Sequence, residues 1–100
     1  MRVPKLSVVL PVYGYSKYLS ESIESVLNQT LKDIEVIVVE DAKNGRFENE
    51  ATLEKYKHDP RIRYLKNEIR EGLSSSLNKG ISSARADYIV RQDADDISLP

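Results

Sequence analysis

Three short stretches, far apart along the chain, carry residue types suited to gripping a flat, charged ligand: Pro11-Val12-Tyr13, Glu40-Asp41 and Asp93-Ala94-Asp95-Asp96. Tyr13 can offer an aromatic face to a base. Asp41 can accept a hydrogen bond from a pyrimidine N3–H. Carboxylates gathered in one place repel, and two unit charges at 4 Å do so by about 4 kcal/mol at an effective dielectric of 20. A divalent cation removes that cost. Hard oxygen ligands favour magnesium, manganese or calcium, and magnesium typically takes one or two carboxylates plus substrate phosphates. An acidic pocket that reads a nucleoside diphosphate therefore needs a metal between two anions. Each residue also has a plainer reading. Asp95 or Asp96 caps a following turn, with Ser98 and Pro100 starting a helix. Tyr13 is one of six tyrosines and packs in a core or on the surface. Asp41 is a solvated turn residue, and Pro11 ends a strand.

Position on the secondary structure separates these readings. Leu6 to Leu10 is β-rich and apolar at nearly every position, as a strand buried on both faces would be. From about Ser16 to Gln29, Leu19, Ile23, Val26 and Leu27 fall at helical spacing, with Glu21, Glu24 and Asn28 opposite and Ser16 as the expected N-cap. Ile34 to Val39 forms the next apolar strand. A polar stretch leads to a weaker helix around Glu50 to Lys57, stopped by Asp59-Pro60. Arg61 to Leu65 alternates imperfectly and carries the charge expected of an edge strand. Leu73, Leu77, Ile81 and Ala84 mark a third helix, and Tyr88 to Gln92 a fourth strand. Gly80, inside the third helix, costs roughly 1 kcal/mol against alanine, which close packing on the sheet explains best.

Alternating strands and helices predict an α/β fold: a Rossmann-like parallel sheet with flanking helices. Right-handed crossovers restrict the winding, and the order 3-2-1-4 puts strand one between strands two and four. Ligands of such sheets bind outside the carboxyl ends of the strands, where the winding direction reverses. In that order the tyrosine and both acidic groups share one crevice. The start of the third helix, after Arg70-Glu71-Gly72, lies near it and favours a diphosphate through backbone N–H groups. Lys79 is expected either near phosphate or, more ordinarily, exposed on the helix. His58 receives no role.

The composition excludes other classes. Fifteen basic and sixteen acidic residues leave a net charge of −1, so there is no basic excess for nucleic acid. The absence of cysteine removes disulfides, thiolate nucleophiles and Cys-ligated zinc. The apolar run near the start is one strand long and lacks a cleavage site, and a bilayer span needs roughly 20 apolar residues. A cytoplasmic protein is expected, peripheral to the inner membrane face in its full form.

Ser7-Val8-Val9-Leu10-Pro11-Val12-Tyr13, Ser25-Val26-Leu27-Asn28-Gln29-Thr30, Glu35 to Asp41, Asp59-Pro60-Arg61-Ile62, Gly72-Leu73-Ser74 to Asn78-Lys79-Gly80-Ile81, and Asp93 to Asp96 with Pro100 follow one another along almost the whole chain. Together these blocks resemble family-two glycosyltransferases of the GT-A fold. The resemblance implies a single domain over 1–100, the nucleotide-binding half of a truncated GT-A domain. It implies that Pro11 and Tyr13 flank the base, that Asp41 bonds to it, and that Asp93 lies near the ribose and the metal. Asp95, with Asp93, would coordinate Mn2+ or Mg2+, which stabilises the departing diphosphate. The partners implied are a nucleotide-diphosphate sugar, UDP-linked, and a saccharide or lipid-linked acceptor. The catalytic base is expected beyond Pro100.

Departures from the family pattern are visible. Ala42-Lys43-Asn44-Gly45 replaces a frequent Gly-Ser-x-Asp loop, and Glu40 stands where a second aspartate is common. Leu77 takes the place of a frequent arginine, and Ala86 that of a glycine. The alternative function is a non-catalytic nucleotide-binding module. A receiver-like domain would need its acidic pair at the end of strand one, where this chain has Pro11-Val12-Tyr13. The uncovered surfaces of the third helix and fourth strand are expected to favour self-association.

Overall fold

A computed structural model describes residues 4–28, 33–69 and 71–92. Seven elements alternate along the chain: β1 (Leu6–Tyr13), α1 (Leu19–Leu27), β2 (Ile34–Asp41), α2 (Glu50–Glu54), β3 (Ile62–Asn67), α3 (Leu73–Ser83) and β4 (Tyr88–Arg91). The strands form one parallel sheet in the order β3-β2-β1-β4, as the alternation of elements predicts. The winding reverses at β1, between β2 and β4.

Both central strands run further than their apolar cores suggest. β1 continues through Pro11 to Tyr13, and β2 through Glu40 to Asp41, each pairing to the last residue. Pro11 therefore does not end its strand. It lies beyond Val9↔Arg91, the last registered pair with β4, where a missing N–H is tolerated. Pro11, Tyr13 and Asp41 thus lie within paired strands, Tyr13 and Asp41 at the last positions.

Because side chains alternate across a sheet, the two faces carry different sets. Val8, Leu10, Val12, Val36 and Val38 face α1 and α2, where they join Leu19, Ile23, Val26, Leu27 and Leu53 in the main core. Val9, Ile37 and Val39 face α3 in a smaller cluster completed by Leu65, Leu77 and Ala84. Gly80 lets α3 sit directly on that cluster. A Cβ there would collide with Val9 Cγ1 and stand 3.2 Å from Val9 Cγ2 and 3.4 Å from Val39 Cγ2.

Two expectations need correction. Ser16 is not the N-cap of α1: the helix begins at Leu19, Tyr18 holds the cap position, and no side chain caps it. The Ser16 amide is bound by Asn49 Oδ1 at 3.0 Å, and its carbonyl accepts from the Leu19 amide at 3.4 Å. The second helix is also shorter than its pattern, ending at Glu54 and continuing as turns to His58. β4 has no partner on its outer side among the described residues, and all four of its side chains are exposed. No described helix is long and apolar enough to cross a membrane.

Candidate functional site

A pocket of about 380 Å³, counting space open to solvent, lies at the carboxyl edge of the sheet on the α3 side. Pro11, Val12, Tyr13 and Asp41 form its strand wall, and Gly72, Leu73 and Ser76 its helix wall. Three of the residues singled out in the sequence, Pro11, Tyr13 and Asp41, therefore share one rim at the point where the winding reverses. Asp93, Asp95 and Asp96 lie outside the described residues.

The sheet register makes this juxtaposition. Tyr13 pairs with Asp41, and Asp41 with Asn67, so the three occupy one row across β1, β2 and β3. Tyr13 is 46% exposed, with its ring at the mouth and Lys43 Nζ 5.8 Å from the ring centroid. Lys43 arrives there from a tight reversal. It bridges to Arg46 in antiparallel fashion across Asn44 and Gly45, both with positive φ (52° and 75°). That Lys43-Asn44-Gly45-Arg46 turn is the local structure of the loop that departs from the family pattern.

Asp41 is buried, not a solvated turn residue. Its Oδ1 accepts from Asn67 Nδ2 at 2.7 Å and from Ser76 Oγ at 3.2 Å. Its Oδ2 accepts from the amides of Glu71 at 3.1 Å and Gly72 at 2.9 Å. Burial pushes the carboxyl upward, but the bonds from Asn67, Gly72, Glu71 and Ser76 outweigh it and hold the group below the usual aspartate range. Asp41 is therefore an ionised, acceptor-only group at neutral pH. It also pins the start of α3, whose Gly72 adopts a φ of 91°. The Glu71 and Gly72 amides, just before α3, are turned onto Asp41. Lys79 is not an exposed lysine: half-buried, it donates to Asn67 Oδ1.

Glu40 does not join this crevice, contrary to the expectation that both acidic residues of β2 would. One residue along a strand reverses the face, and Glu40 is buried on the α1/α2 side. Its Oε1 accepts from the Tyr64 hydroxyl, and its Oε2 from Asn49 Nδ2 at 3.0 Å and the Asn49 amide at 3.3 Å. The carboxylate raises the Tyr64 phenol further, on top of the larger effect of burial. Leu77 packs against the Val9 cluster and not into the pocket.

Sequence reasoning missed Asn49, Asn67 and Ser76. Asn67 was detectable in principle, since it ends β3 as Asp41 ends β2. Ser76 lies one turn into α3 from Gly72, on the side that returns to the sheet. Asn49 carried no local signal, because its partners Gly14, Ser16 and Glu40 are distant in sequence. Among the described residues, no group of three or more His, Asp or Glu converges as a cation site. With four donors already on it, Asp41 is built as a hydrogen-bond acceptor and not as a metal ligand.

Comparison with known proteins bears on the family and the fold. The model of the family described as "Glycosyl transferase family 2" matches residues 7–100. An uncharacterized glycosyltransferase of Methanocaldococcus jannaschii is 46% identical over 101 residues, covering 100% of this chain and 35% of that protein. Residues 1–349 of TarS from S. aureus, solved in complex with UDP-GlcNAc, superpose with a TM-score of 0.81 at 26% identity, over 93% of this chain and 27% of that one. The mannosyltransferase PcManGT of Pyrobaculum calidifontis, solved with GDP-Man and Mn2+, gives a TM-score of 0.78 at 23% identity, over 94% of this chain and 28% of that one. This last likeness speaks for the fold alone. The chain spans about a third of the length of two curated relatives it matches, the uncharacterized glycosyltransferase of Methanocaldococcus jannaschii and EpsE of Bacillus subtilis.

Proposed function

This chain belongs to glycosyl transferase family 2, and we propose that its Pro11–Tyr13–Asp41 pocket is the base-binding end of a nucleotide-sugar donor site. The observation that carries the reading is the convergence of an exposed aromatic ring and an ionised, buried carboxylate at the switch point of a parallel sheet. TarS, with the same fold, has been solved with UDP-GlcNAc, which supports a nucleotide-sugar ligand.

Asp41 can accept a proton-bearing edge but cannot donate. It therefore suits a base that presents a ring N–H, as uracil does at N3, whereas cytosine sets an acceptor at N3 and reaches a carboxylate only through its exocyclic amine. Sharing the carboxylate is easiest on Oδ1, where the Ser76 hydroxyl is a 3.2 Å partner that can rotate away. Tyr13 supplies a face for the base, and Pro11 a wall without an N–H to leave unsatisfied. Asp95 and Asp93 would hold a divalent metal, Mn2+ or Mg2+, that offsets the diphosphate charge. In the whole protein the function is transfer of the sugar to a hydroxyl of a saccharide or lipid-linked acceptor.

Calorimetry with UDP and CDP tests the donor reading. UDP is expected to bind more tightly than CDP by about tenfold, the value of one hydrogen bond to a charged group. Asp41→Ala should erase that preference, and Asp95→Asn or chelation should weaken UDP binding. Equal affinities for UDP and CDP, or a preference that survives Asp41→Ala, would overturn the role of Asp41. Binding indifferent to chelation would remove the metal from the proposal.

A further inference from the structure

Asn49 occupies the N-cap position of α2, where an asparagine ordinarily turns its side chain onto its own helix. Here it makes no cap bond. Its fully buried amide group reaches across to the loop between β1 and α1 instead. Nδ2 donates to the Gly14 carbonyl at 3.0 Å, and Oδ1 accepts from the Ser16 amide at 3.0 Å. The second Nδ2 hydrogen goes to Glu40 Oε2 at 3.0 Å, and Glu40 is held in turn by the Tyr64 hydroxyl. The side chains of Asn49 and Glu40 together thus tie α2, β2, β3 and one loop.

The loop so held begins directly after Tyr13. Gly14 turns it with a φ of 77°, a conformation that side chains rarely adopt. With its carbonyl fixed by Asn49, the peptide between Gly14 and Tyr15 has one orientation, which restricts how the chain leaves the end of β1 where the Tyr13 ring stands. We infer that Asn49 is a positioning residue for the Tyr13 platform, setting nucleotide affinity from the opposite face of the sheet without touching the ligand. Glu40 serves by fixing the asparagine, which gives the carboxylate on the far side of β2 a purpose. This inference rests on the pocket being a nucleotide site.

A double-mutant cycle on this chain tests it, with UDP affinity read by calorimetry. Tyr13→Ala should weaken binding about tenfold through lost stacking. Asn49→Ala should weaken it about fivefold in the native background. In the Tyr13→Ala background the same change should add no more than about twofold, because the ring it positions is gone. A fivefold loss that persists in the double variant overturns the inference, and so does an unchanged affinity in a folded Asn49→Ala chain. Hydrogen exchange gives a readout that depends on neither UDP nor a folded variant. The Ser16 amide of the native chain should be protected, and exchange at the rate of an open peptide would overturn the clamp. Failure of the native chain to bind UDP while Ser16 stays protected would instead strike the donor-site reading, and with it the inferred role in affinity.

Discussion

The two faces of the sheet are built on different physics. Toward α1 and α2 lies a broad apolar core, with Leu10, Leu19, Ile23, Val36 and Val38 fully buried. Toward α3 the buried apolar set shrinks to Val9, Ile37 and Val39, and charged groups take up the task. Glu35 there receives the Ser7 hydroxyl at 2.6 Å, the Arg85 amide at 2.7 Å, Arg85 Nε at 3.0 Å and Arg63 Nη1 at 3.1 Å. Asp41, farther along the same face of β2, anchors Asn67, Ser76 and the start of α3. One face holds the fold by excluding water, whereas the other holds α3 by hydrogen bonds to two carboxylates. The pocket lies on the second face, where polar groups are already ordered.

Substitutions can break this contrast. Ile23→Ala, in the larger core, should destabilise the chain by about 3 kcal/mol in urea denaturation. Gly80→Ala forces a methyl into Val9 and should cost about 2 kcal/mol, despite alanine's better helix propensity. Leu77→Ala, in the thin half-covered cluster, should cost only about 1 kcal/mol. An equal loss at Ile23 and Leu77 would show that the two faces contribute alike.

Acid offers a finer separation. Burial raises both Glu35 and Asp41, but their hydrogen bonds prevail and leave each below its ordinary value of 4.5 or 3.8. A carboxyl depressed in the folded state takes up its proton later there than in the unfolded chain. Its stabilisation is complete above the ordinary value and is lost as pH falls through the depressed one. Amides of α3 should therefore lose exchange protection on acidification before those of α1. Simultaneous loss from both helices would place the acid-sensitive contacts elsewhere.

The sequence was legible where physics is local or periodic. Near-continuous apolar runs marked β1 and β2, helical spacing marked α1 and α3, and crossover handedness then led to the strand order. Grouping Pro11, Tyr13 and Asp41 followed from that order. What stayed hidden was set by partners remote in the chain. Ser16 has the composition of a cap, but Asn49, thirty-three residues away, takes its amide. Glu40 and Asp41 look like one acidic pair, yet strand alternation sends them to opposite faces. A continuous apolar run marks the strand without showing its period of two, and that period is what separates the pair.

The single row formed by Tyr13, Asp41 and Asn67 has a consequence for how the protein can be assayed. Sliding any of the three strands by one position would dissolve the row and turn a neighbour of opposite facing into the gap. Misaligned molecules would retain their spectroscopic strand content while offering nothing for a ligand to grasp. Titration to saturation would then count the correctly aligned molecules in a preparation, a quantity that circular dichroism cannot supply.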